Sequence, residues 1–131
     1  EKYMTVHTNA GKEWHSDKAH GDVATAIDTI ALGTGTGSED DNTTALASEL
    51  YRSDRSNANV EFVETDPTGG REAHITVQGG TEVPADAKIS EMAVIAGGAG
   101  GDGTVIFVDE FGDITVEAGH QERFTMPYDY E

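Results

Sequence analysis

The residues best placed to do chemistry lie between positions 33 and 42: Gly33-Thr34-Gly35-Thr36-Gly37, then Glu39-Asp40-Asp41-Asn42. A glycine-rich turn can cradle phosphate through its backbone N–H groups. This one lacks the Gly-Lys-Ser/Thr ending that supplies the positive charge and the magnesium ligand. It also lacks the spacing of a dinucleotide fingerprint, and the acidic run behind it repels a phosphate. The glycines are expected simply to let the chain turn with positive φ. The acidic run offers carboxylate oxygens to a hard cation, calcium or magnesium, with Asp40 and Asp41 as ligands. Its residues are consecutive, whereas those of a calcium loop alternate. The competing expectation is a solvated acidic loop or a helix N-terminus, where negative charge suits the dipole.

No other constellation points to catalysis. His7, His15 and His20 lie near one another, with His74 and His120 far away, and no His-x-x-x-His or His-Glu-x-x-His spacing occurs. Helical zinc ligation therefore has no support, and surface or core roles are expected for all five. Carboxylates are so plentiful that no single pair suggests glycoside hydrolysis. A Gly-x-Ser-x-Gly elbow is absent. The expectation is a protein that is not an enzyme and carries no cofactor.

Composition narrows the partners. The 131 residues include 25 Asp and Glu against 8 Lys and Arg, a formal net charge of −17. Nucleic-acid binding depends on cationic side chains replacing counterions along the phosphates, so DNA and RNA are disfavoured. Docking on anionic lipid is disfavoured for the same reason. Such charge suits either disorder or a folded surface adapted to high salt, where screening reaches about 3 Å at 1 M. The regular apolar strands described next argue for the second. There is no cysteine, which excludes disulfides and thiolate metal sites. No run of 18 apolar residues and no signal segment is present, so no membrane association is expected. The first residue is Glu1, and an initiating methionine, or more, is expected to precede it.

The elements that must position these residues are mostly strands. The length suits one domain spanning 1–131, with residues 1–22 as an N-terminal arm in which Ala10 to Trp14 could open a helical turn. Trp14, the one tryptophan, is expected to anchor the core. Val23 to Leu32 reads as a strand. After the glycine turn, Asn42 or Thr43 is expected to cap a short helix over 42–53, with Leu46, Leu50 and Tyr51 as its apolar stripe. Alternation then predicts strands at Val60–Glu64, His74–Gln78, Ile89–Ile95, Thr104–Val108, Ile114–Val116 and Arg123–Met126. Turns are expected at Asp66 to Gly70 and at Phe111-Gly112-Asp113. The sum is an all-β fold, an antiparallel sandwich of jelly-roll or Ig-like kind with one short helix.

Several of these segments occur in a recognisable order. Thr5-Val6-His7-Thr8-Asn9-Ala10-Gly11 is followed by Ile30-Ala31-Leu32-Gly33-Thr34-Gly35. Thr44 to Arg52 comes next, and then Ile89-Ser90-Glu91-Met92-Ala93-Val94 and Gly103-Thr104-Val105-Ile106. This order resembles the N-terminal domain of phage tail-collar fibre proteins and related small modules of tailed viruses. Met92-Ala93-Val94 departs from the family's isoleucine-glycine-leucine. The chain stops at Glu131, where a fibre would continue into a shaft.

The resemblance implies a virion structural protein that attaches fibres to the tail or baseplate, or acts as an adaptor. It works as a homo-oligomer among neighbouring virion proteins. With the acidic composition, it points to a tailed virus of a halophilic archaeon. A capsid turret or decoration protein is the alternative, and a receptor- or glycan-binding module meeting the host surface is the alternative of another class. Leu50, Tyr51, Arg52 and Arg55 are the candidate interface. Leu50 and Tyr51 are expected to bury, and the two arginines to pair with carboxylates either across a subunit boundary or within the chain.

Overall fold

A computed structural model describes residues 5–65, 67 and 70–128. The chain runs β1 (Val6–His7), α1 (Asn9–Ala19), β2 (Ile27–Gly33), β3 (Glu49–Asp54), β4 (Val60–Glu64), β5 (Arg71–Gln78), β6 (Ala87–Ala96), β7 (Thr104–Val116) and β8 (Gln121–Tyr128). The strands form two antiparallel sheets. One has the order β1-β7-β6-β2-β3 and the other β4-β5-β8. The expected all-β sandwich with one short helix is the fold observed.

Alternation in β5 shows how the layers form. Ala73, Ile75 and Val77 point inward and are buried, while their neighbours are only half covered. Opposite them, Ile30 and Leu32 of β2 and Met92 and Val94 of β6 complete one core with Phe107, Phe124 and Met126. Truncating one of these branched side chains to alanine typically costs about 2–5 kcal/mol. The outer face of the five-stranded sheet is also buried. Ala31, Ala93, Ile95, Val105 and Val108 are covered with Leu46, which reaches over from the segment after β2. Gly98, after β6, sits so close to Ile95 and Thr29 that a Cβ there would lie 2.6 Å from the Ile95 methyl.

The helix is not where the apolar spacing placed it. Residues 42–53 contain no helix: turns lead into β3, and Thr29 to Gly33 pair with Asp54 to Glu49. A ten-residue helix is marginal in water, and pairing with a central strand outweighs it. The helix is α1, inside the stretch read as an arm. The Thr8 hydroxyl accepts from the Gly11 N–H (2.8 Å) and donates to the Val105 carbonyl (2.6 Å), so one side chain caps the helix and fastens it to β7. Gly11 lies against β7 where a Cβ would meet the Ile106 carbonyl at 2.5 Å. Trp14 enters the core, and its indole N–H donates to Thr25 Oγ1 (2.9 Å).

A second correction concerns Phe111-Gly112-Asp113, which is no turn between strands. β7 is continuous, with these residues bulging opposite Ser90 where the register with β6 shifts between Ile89 and Glu91. The bulge lets Phe111 stack on Phe124, ring centroids 6.0 Å apart. The turn expected at Asp66 to Gly70 rests partly on Asp66, Thr68 and Gly69, outside the described residues.

Candidate assembly surface

The glycine turn does form an anion cradle, and the chain fills it itself. Gly33 ends β2 beside Glu91 of β6. The loop then closes at its neck, where the Thr34 N–H donates to the Ser48 carbonyl (3.0 Å). Glu91 is fully buried. Its Oε1 accepts from the Ser38 hydroxyl (2.7 Å) and the Ala47 N–H (3.0 Å), and its Oε2 from the N–H groups of Gly35 (2.9 Å) and Ser48 (2.8 Å). Four donors converge on one carboxylate, which is how a buried charge is made tolerable. A Cβ at Gly33 would sit 2.4 Å from Glu91 Oε2, so a side chain there would displace the carboxylate. Ser90 Oγ donates to the Gly35 carbonyl (2.6 Å), and Gly37, at φ +92°, donates to the Glu110 carboxylate (3.0 and 3.1 Å). The loop is thus pinned to β6 and β7 along its length.

The acidic run stands outside this cradle. Glu39, Asp40 and Asp41 are exposed. Asp40 Oδ1 accepts from the Asn42 N–H (2.7 Å), and the Asp41 carbonyl accepts from the Asn9 N–H (2.6 Å) at the start of α1. Among the described residues no three His, Asp or Glu side chains gather as a metal site. Glu39 instead approaches Asp109 of β7. Burial first, and then the Glu39 charge, push the Asp109 carboxyl up to about 6. Asp109 is only 4% exposed and its Oδ1 is buried without a hydrogen-bond partner.

β3, which carries three of the four candidate interface residues, is an edge strand. Leu50 does not bury: at 37% it is an exposed large hydrophobe. Tyr51 packs against the core, and its hydroxyl accepts from Asn59 Nδ2 (3.0 Å). Arg52 is engaged within the chain. It grips Glu49 bidentately (2.6 and 2.7 Å) and donates to the carbonyls of Gly98 (2.9 Å) and Asp102 (2.8 Å). It therefore clasps the glycine loop 97–103 onto the edge. The pair with Glu49 raises the Arg52 pKa. Arg55 follows β3, donates to the Ile27 carbonyl (2.5 Å), and lays its guanidinium 4.8 Å over the Phe62 ring. The structure thus keeps Leu50, Tyr51 and Arg52 together on one edge and turns Arg55 toward the opposite sheet.

Two of the histidines, His7 and His15, are neighbours, with ring centroids 6.4 Å apart. His7 stacks on Phe107 (4.5 Å) and burial lowers its pKa, while His74 meets Glu72 (2.9 Å) and Arg123. Glu91 is the residue that motif reasoning missed. Its signal was a single acid inside the apolar run Ile89 to Ile95, a position that demands partners.

No curated protein and no solved structure matches the chain significantly. A family model, described as the N-terminal part of phage tail-collar fibre proteins, matches residues 1–79. The matched part holds α1, β1 to β5, the glycine turn and the β3 edge. The chain therefore belongs to the phage tail-collar fibre protein family, as a structural component of the virion.

Proposed function

We propose that this chain is a non-enzymatic attachment or adaptor module of the tail or baseplate, assembling as a homo-oligomer against neighbouring virion proteins. Family membership supports the setting. The observation that carries the assembly is the β3 edge. It ends the sheet with no strand beyond it and carries the exposed Leu50, the combination that invites another chain. The edge strands of the smaller sheet, β4 with Glu61 and Glu64 and β8 with Pro127, carry no such exposed large hydrophobe among the described residues. The −17 charge fits a particle that assembles in concentrated salt, as in a halophilic host.

Light scattering and native mass spectrometry between 0.1 and 2 M salt test this. The expected result is a closed oligomer of threefold or sixfold symmetry whose melting temperature rises with salt, and which Leu50→Asp dissociates. A monomer at every concentration and salt refutes the assembly. Fivefold symmetry would transfer the module to a capsid vertex, as a turret or decoration.

A further inference from the structure

The cations of this chain are few, and three of its eight Lys and Arg side chains meet at one place. Lys18 of α1, Arg55 after β3 and Arg71 of β5 line an open cleft of about 420 Å³, with Trp14, Phe62 and Tyr128 among its walls. Among the described residues lining it there is no Asp or Glu, in a chain with 25 of them. The cations are held by backbone oxygens. Lys18 donates to the Thr25 carbonyl (2.7 Å), Arg55 to that of Ile27 (2.5 Å) and Arg71 to that of Gly70 (3.1 Å). Among the described residues the carboxylate paired with Arg71 is the exposed Glu64, at 3.7 Å, beyond hydrogen-bond reach. Arg52, by contrast, has its carboxylate gripped bidentately.

We propose that this cleft is a docking site for an acidic segment of a partner polypeptide, whose carboxylates take the donors that Arg71, Arg55 and Lys18 still hold. The inference rests on the assembly reading above and supplies the chemistry of one contact. Charge complementarity selects the occupant. A guanidinium has five donors in a fork that fits a carboxylate, and Arg71 spends one of its own on Gly70. On a chain with a net charge of −17 an acidic segment meets mostly carboxylates, whereas this cleft offers it three cations. Arg55 covers the Phe62 face, so the ring is no open platform for a sugar. Tyr128, whose phenol pKa is raised by burial despite the opposing charges of Arg71 and Arg55, forms the floor beside them.

Trp14 is the only tryptophan and lines the cleft, so its fluorescence reports occupancy directly. Hexaglutamate peptide titrated into the intact chain should change that emission saturably. The Lys18→Gln/Arg71→Gln variant should bind at least tenfold more weakly, and Arg52→Gln should bind unchanged. Arg55→Gln serves as a second variant, with circular dichroism verifying that each folds. Equal binding by the wild type and both cleft variants overturns the proposal, as does tighter binding of oligogalacturonate, which would make the site a glycan site. Light scattering on the same samples separates the two readings. An oligomer that ignores hexaglutamate leaves the assembly standing and removes the cleft; a monomer whose Trp14 responds to the peptide does the reverse.

Discussion

Replacing Glu91 by Gln tests the reasoning most severely, because the change is one atom in size. Each carboxylate oxygen accepts two hydrogen bonds, from Ser38 and Ala47 on one and from Gly35 and Ser48 on the other. Turned toward Gly35 and Ser48, its NH₂ would face two N–H donors; turned toward Ser38 and Ala47, it can donate to the Ser38 hydroxyl and leaves the Ala47 N–H unpaired. A buried donor without a partner costs about 1–3 kcal/mol, so the loss should be roughly 1–3 kcal/mol. Domains of this kind hold only about 5–15 kcal/mol in total, so the effect is large. For a chain of this length the melting temperature should fall by roughly 4–12 °C. Thermal and urea melts measure the sum. Amide hydrogen exchange at Gly35, Ala47 and Ser48 locates it, and these amides should lose protection before those of β5. The account is refuted by a loss below about 1 kcal/mol, or by unprotected Gly35 and Ser48 amides in the wild type.

Three further outcomes follow from the same contacts. Asp109 binds its proton more tightly in the folded state (pKa about 6) than in the unfolded one, so its contribution is present below about pH 4 and lost as pH rises through 6. Asp109→Asn should therefore gain on the wild type across that window, by up to about 3 kcal/mol above it, and parallel melts from pH 4 to 8 check the divergence. Gly11→Ala should lower the melting temperature clearly, because its Cβ meets β7 backbone at 2.5 Å. Gly21→Ala, at φ +76° with no atom within 4 Å, should cost only about 1 kcal/mol. Arg52→Ala should leave the oligomer intact and cost roughly 1–3 kcal/mol, with faster amide exchange through loop 97–103 as the visible sign.

Much of the sheet structure is legible in the sequence, for a definite reason. β4 runs from Val60 to Glu64 as its alternation predicts, and β5, β6 and β8 contain the segments expected of them. A strand with one face in a core writes that face into every second residue. Of α1 only the opening turn, Ala10 to Trp14, was legible, because the helix buries only Gly11 and Trp14 and so has no apolar stripe. Its true signal is Thr8, a capping residue whose second bond to β7 no local pattern reveals. Leu46, Leu50 and Tyr51 mislead because their helical spacing is coincidental. One lies on the outer face of a sheet, one in solvent and one against the core. The anion cradle was visible as a shape in the glycines, but its occupant came from a strand more than fifty residues away. The arginines show the same limit, since composition counted the cations and only the fold shows that Arg52 is engaged within the chain.

The sheet order has a consequence for how the protein comes to be made. Val6 pairs with Val108, while β2 and β5 take β6 and β8 as neighbours. Residues 1–79 alone leave β1 with no partner, and β2 and β5 each with a bare flank. Folding is thus governed by closures of long sequence separation, which are slow. A nascent chain must keep its early strands apart until the β6–β7 hairpin has emerged from the ribosome and slid between β1 and β2. A fragment cut at residue 79 should aggregate rather than fold. Both sheets are completed only by strands that lie beyond the residues the family model matches.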